Sequence, residues 1–315
     1  MSLIRVLHPG FQTTIQDLGR FGFAHLGISA SGAADALSLR IGNLLVGNKE
    51  GSAALEMTLL GGEFEFKESC VVALTGSDFE PRLNGQSISL WCSHTVPAGG
   101  HLQLGATKSG ARCYLCVAGG FDVPLTLGSS STHLLTGLGG LGGRTLKKGD
   151  ILRVKSPAHP NLKPKTIDDR FVSAFHGEHV VRVTEGIQSH YFTNVELQQF
   201  YSSAYTVSED SNRMGLRFTG PKLAHAHDSE IVTEGTPLGA VQIPKNGEPI
   251  VLFVEHQTTG GYPKIANVIS ADMHFMGQLR PQDSVRFRKI SFEEAISLLH
   301  EQERFVQSMS RDLME

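Results

Sequence analysis

The segment from residue 257 to residue 264, with the sequence QTTGGYPK, combines groups that suit the binding of an anion. Its adjacent glycines, Gly260 and Gly261, are predicted to let the backbone adopt positive φ and to bring its N–H groups close to a ligand. The threonine hydroxyls add donors, and the lysine adds a positive charge. The residues predicted to bind an anion or a substrate in this segment are Gln257, Thr258, Thr259, Gly260, Gly261, Tyr262 and Lys264.

The same segment also suits a purely structural role. In a hairpin turn the glycines would serve backbone geometry, the threonines would lie in the flanking strands, and Pro263 would stiffen the exit. Composition does not separate these two interpretations, and both stay open at this point.

A second candidate is Arg213, in the sequence SNRMG at residues 211–215. Its guanidinium is planar and permanently charged, which suits a carboxylate or a phosphate, and the step from Met214 to Gly215 lets the chain turn tightly beside it. The structural alternative is a salt bridge that fixes the loop of Asp210.

The glycine cluster GLGGLGG at residues 137–143 contains the spacing G-x-G-x-x-G. A dinucleotide site with this spacing needs a strand before it and a helix after it, whereas residues 144–150 (RTLKKGD) are predicted to form a strand edge and a turn. We therefore predict a flexible loop that closes over a site. The sequence also contains no G-x-x-x-x-G-K-[ST] motif, so any ATP site must be of another type.

The four cysteines favour structural roles over a metal site. Cys113 and Cys116 have the spacing C-x-x-C, but they lie in a predicted strand, where positions i and i+3 point to opposite faces. Cys70 and Cys92 are isolated. We predict no metal ligands and small buried thiols.

Composition excludes several classes of partner. The 315 residues carry 28 Lys and Arg against 31 Asp and Glu, a net charge of −3 that gives no overall attraction to nucleic acid or to anionic lipid. No segment approaches the roughly 20 apolar residues of a membrane span, and residues 1–10 do not resemble a signal peptide. The expected location is cytoplasmic.

Short apolar stretches separated by Gly, Pro, Asn and Asp about every ten residues favour an all-β barrel or sandwich. The predicted strands are Val71–Leu74, Ser87–Cys92, His101–Leu104, Arg112–Val117 and Ile151–Val154.

Three helices are predicted. Asp35 is expected to cap the first, which ends at Gly47. The other two begin at capping-box patterns, formed by Thr193 with Glu196 and by Ser291 with Glu294.

Beyond these patterns, QTTGGYPKI at residues 257–265, ISAD at 269–272 and QLRP at 278–281 resemble the KipA/allophanate hydrolase subunit 2 family. Further resembling blocks follow in the family's order: TTIQDLGR (13–20), HLG (25–27), SGA (31–33), NLLVGN (43–48), LEMT (55–58), LNG (83–85), VAGG (117–120), LGS (127–129) and NRMG (212–215). The sequence departs from the usual pattern at Phe21, at Asn212 and at Glu255 with His256. These departures bear on the substrate or partner and leave the expected fold unchanged.

The resemblance implies a mainly β fold, with two cyclophilin-like β-barrel domains and a few short helices. Residues 156–170 contain three prolines and are predicted to connect the domains. We place an N-terminal β-barrel-like domain at residues 1–160 and a C-terminal cyclophilin-like β-barrel domain at residues 161–315.

The resemblance further implies the C subunit of an ATP-dependent 5-oxoprolinase, which opens 5-oxo-L-proline to L-glutamate. Its implied partners are the B subunit (KipI-like) and the A subunit (LamB/YcsF-like), and its implied ligands are a small-molecule substrate and ATP, bound or used by the complex. Activity of the chain alone is not expected. Two alternatives stay open: a biotin-dependent carboxyltransferase component similar to urea carboxylase, with biotin as cofactor, and a regulatory protein that antagonises a kinase inhibitor.

The resembling blocks near the amino terminus imply further site residues. General acid–base catalysis at neutral pH commonly uses a carboxylate with a nearby histidine. The expected catalytic residues are His25, Asp35 and Glu56, and Arg20 is expected to bind substrate. Structural roles are also available, since Asp35 can be an N-cap, Arg20 can pair with Asp17, and His25 can be an interior histidine. We expect the catalytic residues to line one cleft with the residues of the 257–264 segment.

Overall fold

The computed structural model describes residues 2–156, 165–167 and 179–314. The chain divides into two compact units: unit 1 comprises Met1–Arg20, Ser31–Ala174 and Phe305–Glu315, and unit 2 comprises Phe21–Ala30 and Phe175–Arg304. The predicted domain boundary between residues 160 and 161, and most of the predicted connection at 156–170, lie outside the described residues.

Unit 1 consists of two antiparallel sheets with one common core. The six-stranded sheet has the order β11-β1-β4-β9-β6-β7, and the five-stranded sheet has the order β2-β3-β10-β5-β8. Apolar side chains from both sheets form a single buried cluster, which includes Ile4, Phe64 and Leu102 from the first and Leu55, Leu74 and Leu115 from the second. The barrel-like arrangement of unit 1 is therefore made by two sheets rather than by one closed ladder.

The strands of unit 1 are β1 (Ser2–His8), β2 (Gln12–Gln16), β3 (Ala54–Thr58), β4 (Glu63–Phe66), β5 (Cys70–Gly76), β6 (Arg82–Leu83), β7 (Gln86–Ser87), β8 (Ser93–Val96), β9 (His101–Gln103), β10 (Arg112–Val117) and β11 (Ile151–Val154). Helix α1 (Ala36–Leu45) packs against β5 and β10.

Unit 2 contains a closed seven-stranded barrel with the order β12-β19-β16-β17-β14-β13-β20, closed by the parallel pair of β12 and β20. Its strands are β12 (Val180–Glu185), β13 (Ala204–Val207), β14 (Gly215–Thr219), β16 (Ala240–Gln242), β17 (Ile250–Leu252), β19 (Lys264–Val268) and β20 (Ser284–Lys289), and a separate two-stranded sheet pairs β15 (Glu234–Gly235) with β18 (Thr259–Gly260). The helices are α2 (Asn194–Ser202), α3 (Met273–Met276) and α4 (Phe292–Met314), and 3-10 turns lie at Ala24–Leu26, Ser189–Tyr191 and Ser270–Asp272. The predicted mainly β fold with few helices is confirmed.

Four of the five predicted strands are confirmed, and the prediction of a strand at Ser87–Cys92 is wrong. Only Ser87 of this segment lies in a strand, at the end of β7. Trp91 takes a φ of 59°, which is incompatible with an extended chain, and its N–H donates to the carbonyl oxygen of Leu74 at 2.8 Å. A run of apolar residues does not reveal such a left-handed residue.

All three predicted helix starts are confirmed by their caps. The side chains of Asp35, Thr193 and Ser291 accept hydrogen bonds from the backbone N–H groups of Ser38, Glu196 and Glu294, at 2.9, 3.3 and 3.1 Å. Gly47 follows α1 with a φ of 71°, as expected for a C-terminal glycine.

The glycine-rich loop at 137–143 is packed against its neighbours. A side-chain Cβ at Gly139 would lie 2.1 Å from the carbonyl oxygen of Ser131, and one at Gly140 would lie 1.9 Å from Thr132 Oγ1. Gly139 and Gly140 therefore permit close packing, and the flexibility of the loop and its closure over a site stay predictions. Residues 144–150 contain no strand, which corrects the predicted strand edge, and the predicted turn is held by Arg144, whose guanidinium donates two hydrogen bonds to Asp150.

Cys113 and Cys116 lie on β10 and are fully buried free thiols, as predicted. Burial raises the pKa of both thiols, so both stay protonated.

Within the described residues, no group of three or more His, Cys, Asp or Glu side chains could hold a metal ion. Across the same residues, no helix combines the length and the apolar character that crossing a membrane requires.

Candidate functional site

Asp35 and Glu56 lie inside unit 1, and Tyr114 links the Glu56 carboxylate to the backbone of Asp35. The Tyr114 hydroxyl donates to Glu56 Oε2 and accepts from the backbone N–H of Asp35, both at 2.8 Å. Asp35 also accepts from the N–H and the hydroxyl of Ser38. Burial, followed by the charge of Glu56, raises the pKa of Tyr114, so its hydroxyl stays a donor. Both carboxylates thus have structural partners, and their catalytic role stays a prediction.

Arg20 and Asp17 both contact the loop of residues 129–131. Arg20 is 2% exposed and donates to the carbonyl oxygen of Ser131. Asp17 accepts from the hydroxyls of Ser129 and Ser131 at 2.7 and 2.5 Å, and from the N–H of Ser130 at 2.5 Å. Asp17 therefore anchors this loop.

His25 belongs to unit 2, whereas Asp35 and Glu56 belong to unit 1. It lies in the 3-10 turn Ala24–Leu26 and is exposed, which corrects the structural alternative of an interior histidine. Its catalytic role, and a cleft shared with the 257–264 segment, stay predictions.

The 257–264 segment is not a hairpin turn. Thr259 and Gly260 form β18, which pairs with the distant strand β15 instead of with a sequence neighbour. Neither Gly260 nor Gly261 has positive φ, so the prediction of left-handed glycines is wrong. Gly260 instead provides room, because a Cβ there would lie 2.9 Å from Gln242 Nε2 and 3.6 Å from Gln257 Nε2.

Arg213 is buried in an ion pair with Glu255. Its Nε lies 2.5 Å from Glu255 Oε1, and the side chains are 7% and 3% exposed. The structural alternative of a salt bridge is thus confirmed, with Glu255 as the partner. Glu255 and His256, where the sequence departs from the family pattern, both have local roles, since His256 Nδ1 lies 2.7 Å from the carbonyl oxygen of Gln257. Burial lowers the pKa of His256, which favours its neutral form.

Lys264 also has an internal partner. Its side chain is 3% exposed, and Nζ lies 2.5 Å from Glu234 Oε1, which accepts a second hydrogen bond from Gln188 Nε2 at 2.7 Å. The hydrogen bond from Lys264 is the main cause that lowers the pKa of Glu234, so Glu234 is ionised at neutral pH. Lys264 lines a cavity of about 580 Å³ together with residues of β12, β19 and β20 and the start of α4.

A second, smaller cavity of about 160 Å³ brings together the two segments that the sequence singled out. We call it the barrel-face cavity; its lining residues are Asn212, Met214, Gly215, Arg217, Gln242, Ile250, Leu252, Gln257 and Tyr262. Asn212 fixes its own segment, because its Oδ1 accepts from the N–H of Met214 at 2.8 Å. Its volume is below the ~300–1,000 Å³ typical of drug-sized ligands, so it suits a small metabolite.

Two polar residues that line the barrel-face cavity could not be identified from the sequence. Gln242 is 1% exposed, and its Nε2 has no hydrogen-bond partner. A buried amide without a hydrogen-bond partner costs about 1–3 kcal/mol of folding free energy. Such unsatisfied groups are therefore rare in folded proteins. Arg217 is exposed, and no carboxylate among the described residues pairs with its guanidinium. Neither residue stands in a recognisable motif; only the pairing of strands brings them together.

Comparisons with a protein-family model and with individual known proteins relate this chain to carboxyltransferase domains and to 5-oxoprolinase C subunits. The family model described as the carboxyltransferase domain, subdomain A and B, matches residues 26–289. The chain is 39% identical to the 5-oxoprolinase C subunit of Escherichia coli over 310 residues, which cover 98% of each chain. It is 35% identical to the 5-oxoprolinase C subunit of Haemophilus influenzae, again with 98% of each chain covered.

Among solved structures, the chain is similar to the Kluyveromyces lactis urea carboxylase. The TM-score is 0.92 at 31% identity, and the match covers 98% of this chain but 29% of that one. The similarity therefore includes both units, and in the yeast protein the matched part is joined to further segments.

The contacts of Tyr114 predict a loss of stability on removal of its hydroxyl. Tyr114→Phe removes one hydrogen bond from the Asp35 N–H and one from Glu56 Oε2, which still accepts from the Ala34 N–H, and should lower the free energy of unfolding in urea by about 1–3 kcal/mol. The matched control is Tyr205→Phe, because the buried hydroxyl of Tyr205 has no hydrogen-bond partner; that variant should be neutral or more stable. Equal effects of the two substitutions would contradict this account of the network.

The burial of the Arg213–Glu255 pair predicts a second stability effect. Glu255→Gln removes the carboxylate that faces a buried guanidinium, so the free energy of unfolding should fall by about 3 kcal/mol. Glu185→Gln is the control, because Glu185 pairs with Lys289 where both side chains are 48% exposed; its effect should stay within about 1 kcal/mol. Urea unfolding at pH 7 measures both, and a small effect of Glu255→Gln would show that the pair is dispensable.

Proposed function

The chain belongs to the family of the carboxyltransferase domain, subdomains A and B, and we propose that it is the C subunit of a 5-oxoprolinase that opens 5-oxo-L-proline to L-glutamate with hydrolysis of ATP. The observation that carries this proposal is the match to the C subunit of the Escherichia coli 5-oxoprolinase, which extends over 98% of both chains. Identity of 39% over nearly the full length of both chains supports the same role for this chain, that of one subunit in a multi-subunit enzyme.

The reaction explains why such an enzyme needs ATP. The amide of a lactam ring is a poor electrophile, and transfer of the γ-phosphoryl group of ATP to its carbonyl oxygen, with release of ADP, activates the carbonyl carbon. Water then attacks that carbon, the ring C–N bond breaks, and phosphate is released. The enzyme must then hold the ring in place and stabilise negative charge with preorganised donors. In this chain, the barrel-face cavity offers a site of suitable size for the ring.

We assign the binding of ATP to the complex that this chain forms with the A and B subunits. Lys264 is already neutralised by Glu234, and Arg213 by Glu255. The sequence has no phosphate-binding loop of the P-loop type. These features support a division of labour in which this chain binds and orients the small substrate while the complex supplies the nucleotide site.

A second candidate function is carboxyl transfer, which is favoured by the likeness to urea carboxylase over both units. That reaction requires carboxybiotin carried by a separate protein, because the Met-Lys-Met attachment signal is absent from this sequence. In that case the cavities would receive the biotin ring from the carrier.

Activity should depend on partners. We expect the purified chain alone to release no glutamate from 5-oxo-L-proline with ATP, and its mixture with the A and B subunits to do so. Each two-component mixture serves as a control. Full turnover by the isolated chain would contradict the proposed role within a complex, whereas carboxylation of a substrate on addition of a biotin carrier, without glutamate release, would favour the second candidate.

The buried Lys264 should be needed for turnover by the mixture. Lys264→Ala removes the ammonium group that pairs with Glu234 and holds the 257–264 segment beside the barrel-face cavity, and the misplaced segment should lower kcat by about 100-fold. Lys245→Ala, at an exposed turn, should leave kcat unchanged. Thermal melting of both variants checks folding, and normal turnover by a normally folded Lys264→Ala variant would assign Lys264 a structural role only.

A further inference from the structure

We propose that the barrel-face cavity binds a small ring compound that carries both a carboxylate and an amide, with Arg217 on the carboxylate and Gln242 on the amide. The inference rests on the proposed function and deepens it, since 5-oxo-L-proline carries both groups on one five-membered ring. It assigns roles to two residues that no sequence motif indicates.

The buried amide of Gln242 is the first support. It lies in β16 on the outer face of the barrel, is 1% exposed, and its Nε2 has no hydrogen-bond partner. Buried amides are normally satisfied, so the unpaired Nε2 of Gln242 in a cavity wall is available to a ligand. A carboxamide presents a donor and an acceptor side by side, and the amide of a lactam ring, which is held cis, presents the complementary pair.

Arg217 is the second support. It lies on β14 in the same cavity, and within the described part of the chain its guanidinium faces no carboxylate. Arg213, four residues earlier, is neutralised by Glu255 and cannot offer its charge in the same way. A guanidinium binds a carboxylate through two parallel hydrogen bonds.

The barrel places the two groups at a suitable separation. Ile250 of β17 pairs with Gln242 on one side and with Arg217 on the other. Directly opposed residues share a face of the sheet, and two strand spacings of ~4.8 Å put the two backbones roughly 10 Å apart. The side chains therefore flank Ile250, which forms an apolar floor on which a five-membered ring would rest.

Gln257 controls access to this floor. Its side chain is exposed, lines the cavity, and lies beside Gly260 together with the amide of Gln242. A ligand that pairs with Gln242 takes the place of Gln257, while Tyr262 closes the cavity from the same segment. The 257–264 segment thus acts as a cover over the site.

Calorimetric titration of the full chain with three ligands tests the proposal: 5-oxo-L-proline, pyrrolidin-2-one, which lacks the carboxylate, and cyclopentanecarboxylate, which lacks the amide. Wild type should bind 5-oxo-L-proline about 10-fold or more tightly than either analogue. Arg217→Gln should weaken the binding of 5-oxo-L-proline by about 10-fold and leave the affinity for pyrrolidin-2-one unchanged. Gln242→Leu should weaken the binding of both lactams and leave the affinity for cyclopentanecarboxylate unchanged.

The controls separate binding from folding. Arg288→Gln removes an exposed arginine on β20, away from the cavity, and should leave all three affinities unchanged. Gln242→Leu should melt no lower than wild type, because it removes an unsatisfied polar group. Absence of binding by wild type, or equal loss for all three ligands in either variant, would overturn the proposal. Glutamate release by the wild-type mixture is measured separately, so failure of the proposed function is distinguishable from failure of this site.

Discussion

Closure of the seven-stranded ladder in unit 2 is the constraint that decides which side chains can meet a ligand. Once β12 and β20 pair, alternate residues must point into the barrel, where Leu216, Val241 and Val251 are buried. Their neighbours Arg217, Gln242 and Ile250 must then lie outside, in a row across three strands. A slip of one residue in any of these strands would reverse this arrangement. The site is therefore a consequence of register as much as of residue type.

The charges of unit 2 are arranged so that the expected anion binders are already neutralised. Arg213 lies against Glu255, and Lys264 lies against Glu234, with most of both basic side chains withdrawn from water. Ionised groups are seldom buried without such partners. These pairs hold the segments that border the barrel-face cavity, and they leave Arg217 as a guanidinium on the cavity wall whose charge no carboxylate of the described residues balances.

Much of the fold could be predicted because its signals are local. Asp35, Thr193 and Ser291 cap helices through contacts three residues away, and short apolar stretches separated by Gly, Pro, Asn and Asp predicted β10 and β11 with the bounds that the structure has. The strand predicted at Ser87–Cys92 failed because Trp91 adopts a left-handed φ, and the N–H of Trp91 bonds to Leu74, a residue distant in the sequence. The site was harder to predict for a related reason. The sequence identified the segments of Asn212 and Gln257, but the partners of Arg213 and Lys264 lie 42 and 30 residues away along the chain. The pairing of Gln242 with Ile250 likewise emerges only from strand register.

The most direct test of this account is a crystal structure of the chain soaked with 5-oxo-L-proline. We expect density for the ring over Ile250, with its carboxylate on the Arg217 guanidinium, its amide edge on Gln242, and the Gln257 side chain moved from its present position. Density for the ring in the larger cavity beside Lys264, with the barrel-face cavity empty and Gln257 unmoved, would contradict it.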